Sequence, residues 1–418
     1  MDVFPQLNRR DLVLGAVASA AVACARGSVP TRQAALVAKG VTMAAEPFQV
    51  RIPDSVIEDL RARLKATRLA PEVRDADWSA GTPSSFLRPL VEYWSESYEW
   101  RREQQRLNSV SHFRAMIEGV GIHFVHMKSG RTDALPLLLM HGWPSSFVQM
   151  LDLLPLLTKS SQSELAFDVV APSLPGYGFS DIPSGPGMSP SAMAPLMHRL
   201  MTEVLGYERY AIRSSDLGAG VASAIGLRFP AEIIGSHTGG TNPFLQGPIP
   251  DDLTSDEQRF VENAQAWMQQ EMAYAQLHAS KPQTIAHALN DSPAGLASWL
   301  FEKFYTWADH DGDLFASIPK DALLTNLTIY WATETIGSSM RLYFEAMRDT
   351  AGWGTAQVPT GYLMPTNDMF PTPRSWMERQ GPITHWTEAP SGGHFMEWEQ
   401  PTVVARDLRA FFTPLVRS

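Results

Sequence analysis

Cysteine is almost absent from this sequence: Cys24 is the only one in 418 residues. That excludes an intramolecular disulfide and any cysteine-rich metal site. Charge is also sparse, because Asp, Glu, Lys and Arg make up 19% of the chain and leave a net charge of -10. No cluster of Lys and Arg offers the basic footprint that nucleic acid requires, so nucleic acid is excluded as a partner. The hydrophobic content of 44% is enough to build a large core.

Long apolar runs are missing too, except for one at the amino terminus. Arg9 and Arg10 precede a small apolar run at residues 15–25, which is too short to cross a bilayer. This is the pattern of a twin-arginine export signal. We therefore expect residues 1–25 to be a signal peptide and residues 26–45, which are small, polar and aperiodic, to be a linker. We expect no integral membrane segment.

The end of this signal allows two kinds of processing. Residues 23–25 form an Ala-x-Ala cleavage site, and residues 21–24 also resemble a weak lipobox in which Cys24 would carry lipid. Both outcomes place the protein in the periplasm or outside the cell. The alternative is a disordered tail on a cytoplasmic protein.

Strand and helix signals alternate from about residue 111, which is typical of an α/β fold with a mostly parallel sheet. Two antiparallel strands are predicted first, followed by buried apolar runs that predict the parallel strands. The predicted strands are residues 113–118, 122–128, 135–140, 167–172, 209–215, 233–238, 359–364 and 383–388.

The helical segments predict how the chain is organised into domains. Strand signals stop between residues 241 and 350, where long helical runs predict an inserted lid. Residues 46–110 hold a short strand and amphipathic helical runs, one of them over residues 83–106. We expect them to form an extension that wraps a core of residues 111–240 and 351–418.

Residues 213–220 carry the strongest chemical signal, since they follow a β-like run and open a helix-like one. A sharp strand-to-helix turn can expose the residue at its bend when the residues two before and two after are small. Only Asp216, flanked by Ser214 and Gly218, meets this condition. A carboxylate nucleophile attacks alkyl or epoxide carbon and leaves an alkyl ester, whereas a serine acylates. The alternative is an aspartate that caps the helix.

A carboxylate nucleophile needs a base, a partner for that base and donors for an oxyanion. His394, on a Gly-rich loop after the last predicted strand, can activate water, and Asp368, just past the preceding strand, can orient it. The backbone N–H groups of Leu217 and Trp143 are the candidate oxyanion donors. In the alternatives, Asp368 caps a turn, His394 lies on the surface and the Trp143 indole packs in the core.

Together, four segments resemble the epoxide hydrolases of the α/β-hydrolase superfamily, in the branch with an amino-terminal extension that includes the microsomal and juvenile-hormone enzymes. They are residues 141–144, 172–180, 368–376 and 392–395. The resemblance runs from about Pro47 to the carboxyl terminus. It implies an α/β-hydrolase fold with a helical lid. It also implies that a small apolar epoxide and water give a vicinal diol through an ester on Asp216, without metal or cofactor. The oligomeric state stays open, with a homodimer as one option.

The family also uses two lid tyrosines that hydrogen-bond and protonate the epoxide oxygen. By motif these fall on Tyr274 and Tyr343, whose phenols stay protonated at neutral pH. Taken alone, both tyrosines are better explained by helix packing. The sequence departs from the family at the elbow, where residues 214–218 are Ser-Ser-Asp-Leu-Gly instead of Gly-Gly-Asp-Trp-Gly. Leu217 keeps the backbone donor but removes a pocket wall.

Three other functions remain as alternatives. Haloalkane or haloacid dehalogenation uses the same Asp–His chemistry, but the positions that would hold halide are Leu217 and Trp143. A catalytically silent binding protein for apolar ligands would explain the altered elbow. A serine esterase is disfavoured because no Gly-x-Ser-x-Gly occurs at the elbow.

Overall fold

A computed structural model describes residues 44–72, 75–240, 248–349, 357–369 and 371–417. The predicted signal peptide and the predicted linker up to residue 43 lie outside the described residues. In the described part of the chain, no helix combines the length and the apolarity needed to cross a bilayer.

Within the described residues, nine strands form one sheet in the order β1-β2-β3-β5-β4-β6-β7-β8-β9. The pairs β1–β2, β2–β3 and β3–β5 are antiparallel, and the other five pairs of neighbouring strands are parallel. The predicted mostly parallel sheet is therefore confirmed. The strands are β1 (Glu46–Phe48), β2 (His112–Ile117), β3 (Val120–Met127), β4 (Leu135–Met140), β5 (Phe167–Pro172), β6 (Tyr210–Ser215), β7 (Ile233–Gly239), β8 (Thr360–Pro365) and β9 (His385–Ala389).

Helices cover both faces of this sheet, which is why β4 and β5 are nearly continuous apolar runs. They are α1 (Asp54–Lys65), α2 (Ser84–Glu96), α3 (Trp100–Leu107), α4 (Leu154–Thr158), α5 (Pro190–Arg199), α6 (Asp216–Arg228), α7 (Ser255–Gln270), α8 (Ala273–Ser280), α9 (Pro282–Asp291), α10 (Pro293–Trp307), α11 (Leu314–Ser317), α12 (Lys320–Ala332), α13 (Ile336–Ala346), α14 (Arg374–Glu378), α15 (Met396–Glu399) and α16 (Pro401–Arg417).

The prediction of one helical run over residues 83–106 is wrong in one respect, because these residues form two helices, α2 and α3. The backbone leaves the helical region at Glu99, where ψ is 84°. The break buries Tyr98, whose hydroxyl lies 2.9 Å from the hydroxyl of Thr325 on α12. Apolar spacing alone did not reveal this break, since both helices continue the same buried face.

Helices α7 to α13 stand between β7 and β8 and fall in the segment predicted to form a lid. Helices α8 and α9 pack against α13. On the other side, α1 and α2 of the extension pack against α10, and α3 packs against α12. The extension therefore contacts both the sheet, through β1, and the inserted helices.

Candidate active site

The turn from β6 into α6 places Asp216 at the bend. Its φ of 49° is in the left-handed region, which a non-glycine residue occupies at a cost. Ser215 before it is extended, with φ -142° and ψ 160°. The elbow therefore does not require glycine at residue 215, and the departure from the family pattern is compatible with this backbone.

Two glycines make room for this bend. A Cβ on Gly142 would lie 2.4 Å from the Asp216 carboxylate, and a Cβ on Gly218 would lie 2.6 Å from the carbonyl oxygen of His141. The first turn of α6 thus packs directly on the end of β4. There, the backbone N–H of Trp143 donates to Oδ1 of Asp216 at 2.8 Å.

His394 and Asp368 join Asp216 at the carboxyl ends of the parallel strands. Nδ1 of His394 lies 3.2 Å from Oδ1 of Asp368, and its Nε2 lies 3.4 Å from Oδ2 of Asp216. The imidazole is only 4% exposed, so it is not the surface histidine of the alternative. Nε2 makes no aligned hydrogen bond within the described residues. Asp368 also accepts from the backbone N–H of Met369 at 2.8 Å.

Two carboxylates control the protonation of this histidine. Burial disfavours the imidazolium, but the negative charges of Asp368 and Asp216 outweigh burial and raise the pKa of His394 to about 10. In the resting site, His394 is therefore a cation between two anions at neutral pH.

Four buried tyrosines lie close enough to Asp216 for its charge to affect the pKa of their phenols. In each, burial is the main cause that raises the phenol pKa, and the Asp216 carboxylate adds to it. All four therefore remain protonated donors well above neutral pH. They are Tyr177, Tyr274, Tyr330 and Tyr343.

Hydrogen bonding divides these tyrosines into two pairs. Tyr177 donates to the backbone carbonyl of Ser339 at 3.2 Å, and Tyr330 donates to that of Ser145 at 3.0 Å. The hydroxyls of the predicted pair, on α8 and α13, instead interact with each other, and this interaction contributes to the pKa of both phenols. Within the described residues, neither of these two phenols donates to the main chain, whereas Tyr177 and Tyr330 do.

An aromatic wall surrounds the predicted pair. The indole of Trp143 stacks on Tyr274 with ring centroids 5.3 Å apart and meets the edge of Tyr343 at 5.9 Å. Trp307 adds a further ring, 5.5 Å from Tyr274. The side chain of Trp143 therefore lines the site, and its backbone N–H serves the same site.

His278 completes this wall and was missed from the sequence. Its ring lies 5.0 Å from that of Tyr343 and one helical turn after Tyr274 on α8. Because the Trp299 indole N–H donates to Nε2 at 3.2 Å, the proton of the neutral ring is on Nδ1. Burial lowers the pKa of His278 to about 3, and the charge of Lys303 acts in the same direction. The spacing of four residues from Tyr274 was the available signal.

One further cluster has metal-ligating residue types but is held by hydrogen bonds. The guanidinium of Arg213 donates to Nδ1 of His237 at 2.8 Å, which fixes the ring proton on Nε2. That proton then points at Asp407, 2.8 Å away, and His385 lies 2.9 Å from the same carboxylate. A protonated Nε2 offers no lone pair to a metal, so the cluster braces β6 and β7.

The fold and this arrangement define the class of protein: an α/β hydrolase with an aspartate at the bend from β6 into α6. Residues 45–150 match the family model described as the epoxide hydrolase N terminus, and residues 136–305 match the α/β hydrolase fold.

Named relatives agree with these matches. An inferred epoxide hydrolase of Stigmatella aurantiaca is 39% identical, with 88% of this chain and 85% of that protein covered. Epoxide hydrolase 1 of Sus scrofa is 33% identical, covering 87% and 88%. The crystal structure of juvenile hormone epoxide hydrolase from Bombyx mori has a TM-score of 0.79 at 32% identity, over 90% of this chain and 95% of that one. The chain belongs to the epoxide hydrolase family.

The raised pKa of His394 predicts a pH dependence of stability. A pKa of about 10 in the folded state lies above the unfolded value of 6.5. The interaction therefore stabilises fully below about pH 6.5 and is lost as the pH rises through about 10. Urea unfolding of the wild type and of His394→Gln should show the wild-type advantage shrinking across this window. Parallel pH profiles for the two proteins would contradict the assigned charge state.

Proposed function

We propose that this protein hydrolyses epoxides to vicinal diols through a covalent hydroxyalkyl ester on Asp216. One observation carries the proposal: the Asp216 carboxylate lies beside a buried imidazole and near two buried phenols that interact with each other. The names of the relatives agree with epoxide as the substrate. The aromatic wall favours a small apolar epoxide.

In the first step, a carboxylate oxygen of Asp216 attacks an epoxide carbon and the ring C–O bond breaks. The electron pair of that bond stays on the epoxide oxygen, which takes a proton from Tyr274 or Tyr343. Because the pKa of both phenols is raised by burial and by Asp216, each holds its proton until an alkoxide of higher basicity develops. The His394 imidazolium then restores the phenol proton directly or through water.

In the second step, His394 takes a proton from water, and the resulting hydroxide attacks the ester carbonyl of Asp216. The backbone N–H of Trp143, already 2.8 Å from this carboxyl group, stabilises the oxyanion together with the N–H of Leu217. The amino end of α6 adds its partial positive charge. Collapse releases the diol, whose oxygen takes a proton from His394. The proton left on the Asp216 carboxyl group then moves to His394, which restores the carboxylate and the imidazolium.

The charge of Asp216 couples the two steps. Esterification removes one of the two negative charges that raise the pKa of His394, so that pKa falls once the ester forms. The same imidazole is thus a cation while the ring opens and a neutral base when water must be activated. Asp368 keeps it oriented throughout.

The tyrosine pair gives a direct test. Tyr274→Phe and Tyr343→Phe should each slow ring opening at least about tenfold, and the double variant at least about a hundredfold, because the alkoxide loses its proton donors. The rate to be measured is that of ester formation. It is obtained by rapid acid quench and mass spectrometry of the peptide that contains Asp216.

Tyr177→Phe and Tyr330→Phe are matched controls, since both tyrosines are buried near Asp216 but donate to backbone carbonyls. They should leave ring opening within about threefold and lower the free energy of unfolding by about 1 kcal/mol. Equal slowing by all four substitutions would refute the division into two pairs.

We also propose that residues 1–25 direct export by a twin-arginine route, as the paired arginines and the short apolar run support. Residues 1–45 fused to a folded reporter should bring it across the inner membrane of a bacterial host. Replacing Arg9 and Arg10 by Lys should hold the reporter inside. Export of both fusions to the same extent would rule out this signal.

A further inference from the structure

Four consecutive backbone N–H groups around His394 are all fixed by acceptors. Gly392 donates to Oδ2 of Asp309 at 2.8 Å, and His394 donates to the carbonyl of Trp307 at 2.8 Å. Gly393 and Phe395 donate to the two carboxylate oxygens of Glu399, both at 2.8 Å. The loop that carries the imidazole is therefore defined by groups that neither the ester nor the epoxide touches.

Asp309 connects this loop to the loop that carries Asp368. The oxygen that accepts from Gly392 also accepts from the side-chain amide of Asn367 at 2.9 Å, next to Asp368. The backbone N–H of Asp309 donates to Glu399 at 2.7 Å. One short segment thus holds the base and its orienting acid in a common frame.

This segment belongs to the inserted helices, because Asp309 lies two residues after the end of α10. The contact is close: a Cβ on Gly393 would lie 2.5 Å from the carbonyl oxygen of Trp307 and 2.6 Å from the nitrogen of Asp309. Trp307 also packs on the imidazole, with ring centroids 5.2 Å apart. The insertion therefore sets the position of His394 as well as supplying the two phenols.

We infer that Asp309 and Glu399 are positioning residues for the ester-hydrolysis step. The inference rests on the proposed function, since it assigns them to the step in which His394 activates water. Ring opening uses Asp216 and the phenols, none of which either carboxylate contacts. A displacement of the imidazole by about 1 Å is enough to slow a positioned reaction by about a hundredfold.

Asp309 offers a matched pair of variants. Asp309→Ala removes the shared acceptor, whereas Asp309→Asn keeps one oxygen that can accept from both Gly392 and Asn367. With styrene oxide and the full chain, Asp309→Ala should slow ester hydrolysis at least about tenfold and leave ester formation within about threefold. The ester on Asp216 then accumulates. Asp309→Asn should stay within about threefold of wild type in both steps.

Glu399→Gln provides a second test if Asp309→Ala does not fold. Both carboxylate oxygens of Glu399 accept hydrogen bonds from backbone N–H groups. In either orientation, the amide of the glutamine would therefore place its NH2 group, which is a donor, against a backbone N–H donor. It should show the same selective loss of ester hydrolysis. Equal slowing of both steps, unchanged kinetics, or a loss in Asp309→Asn as large as in Asp309→Ala would overturn the inference.

His394→Gln separates this inference from the proposed function. It should accumulate the ester fully, because it lacks the base. Absence of ester in His394→Gln would refute the covalent mechanism itself. Ester in His394→Gln but none in Asp309→Ala or Glu399→Gln would overturn only the roles given to these two carboxylates.

Discussion

The rest of the site depends on the contact between the end of β4 and the first turn of α6. Asp216 can adopt its positive φ and lie beside Trp143 only because Gly142 and Gly218 leave no side chain in the way. This contact sets the carboxylate against a backbone N–H and the positive end of a helix. The imidazole of His394 and the phenols of Tyr274 and Tyr343 lie around that carboxylate.

The second determinant is electrostatic. Two carboxylates beside the buried imidazole of His394 outweigh its burial and raise its pKa to about 10, so in our proposal it acts as a base only after one of them loses its charge. In our proposal, formation of the ester is the event that removes that charge. A buried ion pair between Arg213 and Glu397, 2.8 Å apart, also holds β6, the strand that leads into the turn at Asp216. Removing one partner of such a pair is strongly destabilising.

The sequence predicted the sheet and the residues that gather at its edge, but not the contacts that fix them. Strand bounds were predictable because buried apolar runs end in Gly and Pro, and Asp216 because only one register puts small residues on both sides. The roles of Asp309 and Glu399 depend on contacts between segments about 60 to 90 residues apart, as in the bond from Gly392 to Asp309. Sequence periodicity carries no information on such contacts.

The origin of the diol oxygen tests the central claim most directly. With enzyme in excess over styrene oxide in ¹⁸O water, a single turnover should give diol without ¹⁸O, and the label should appear in the peptide that contains Asp216. Asp216→Ala should form neither ester nor diol. Label already present in the first diol would mean that water attacks the epoxide directly, and the ester mechanism would be wrong.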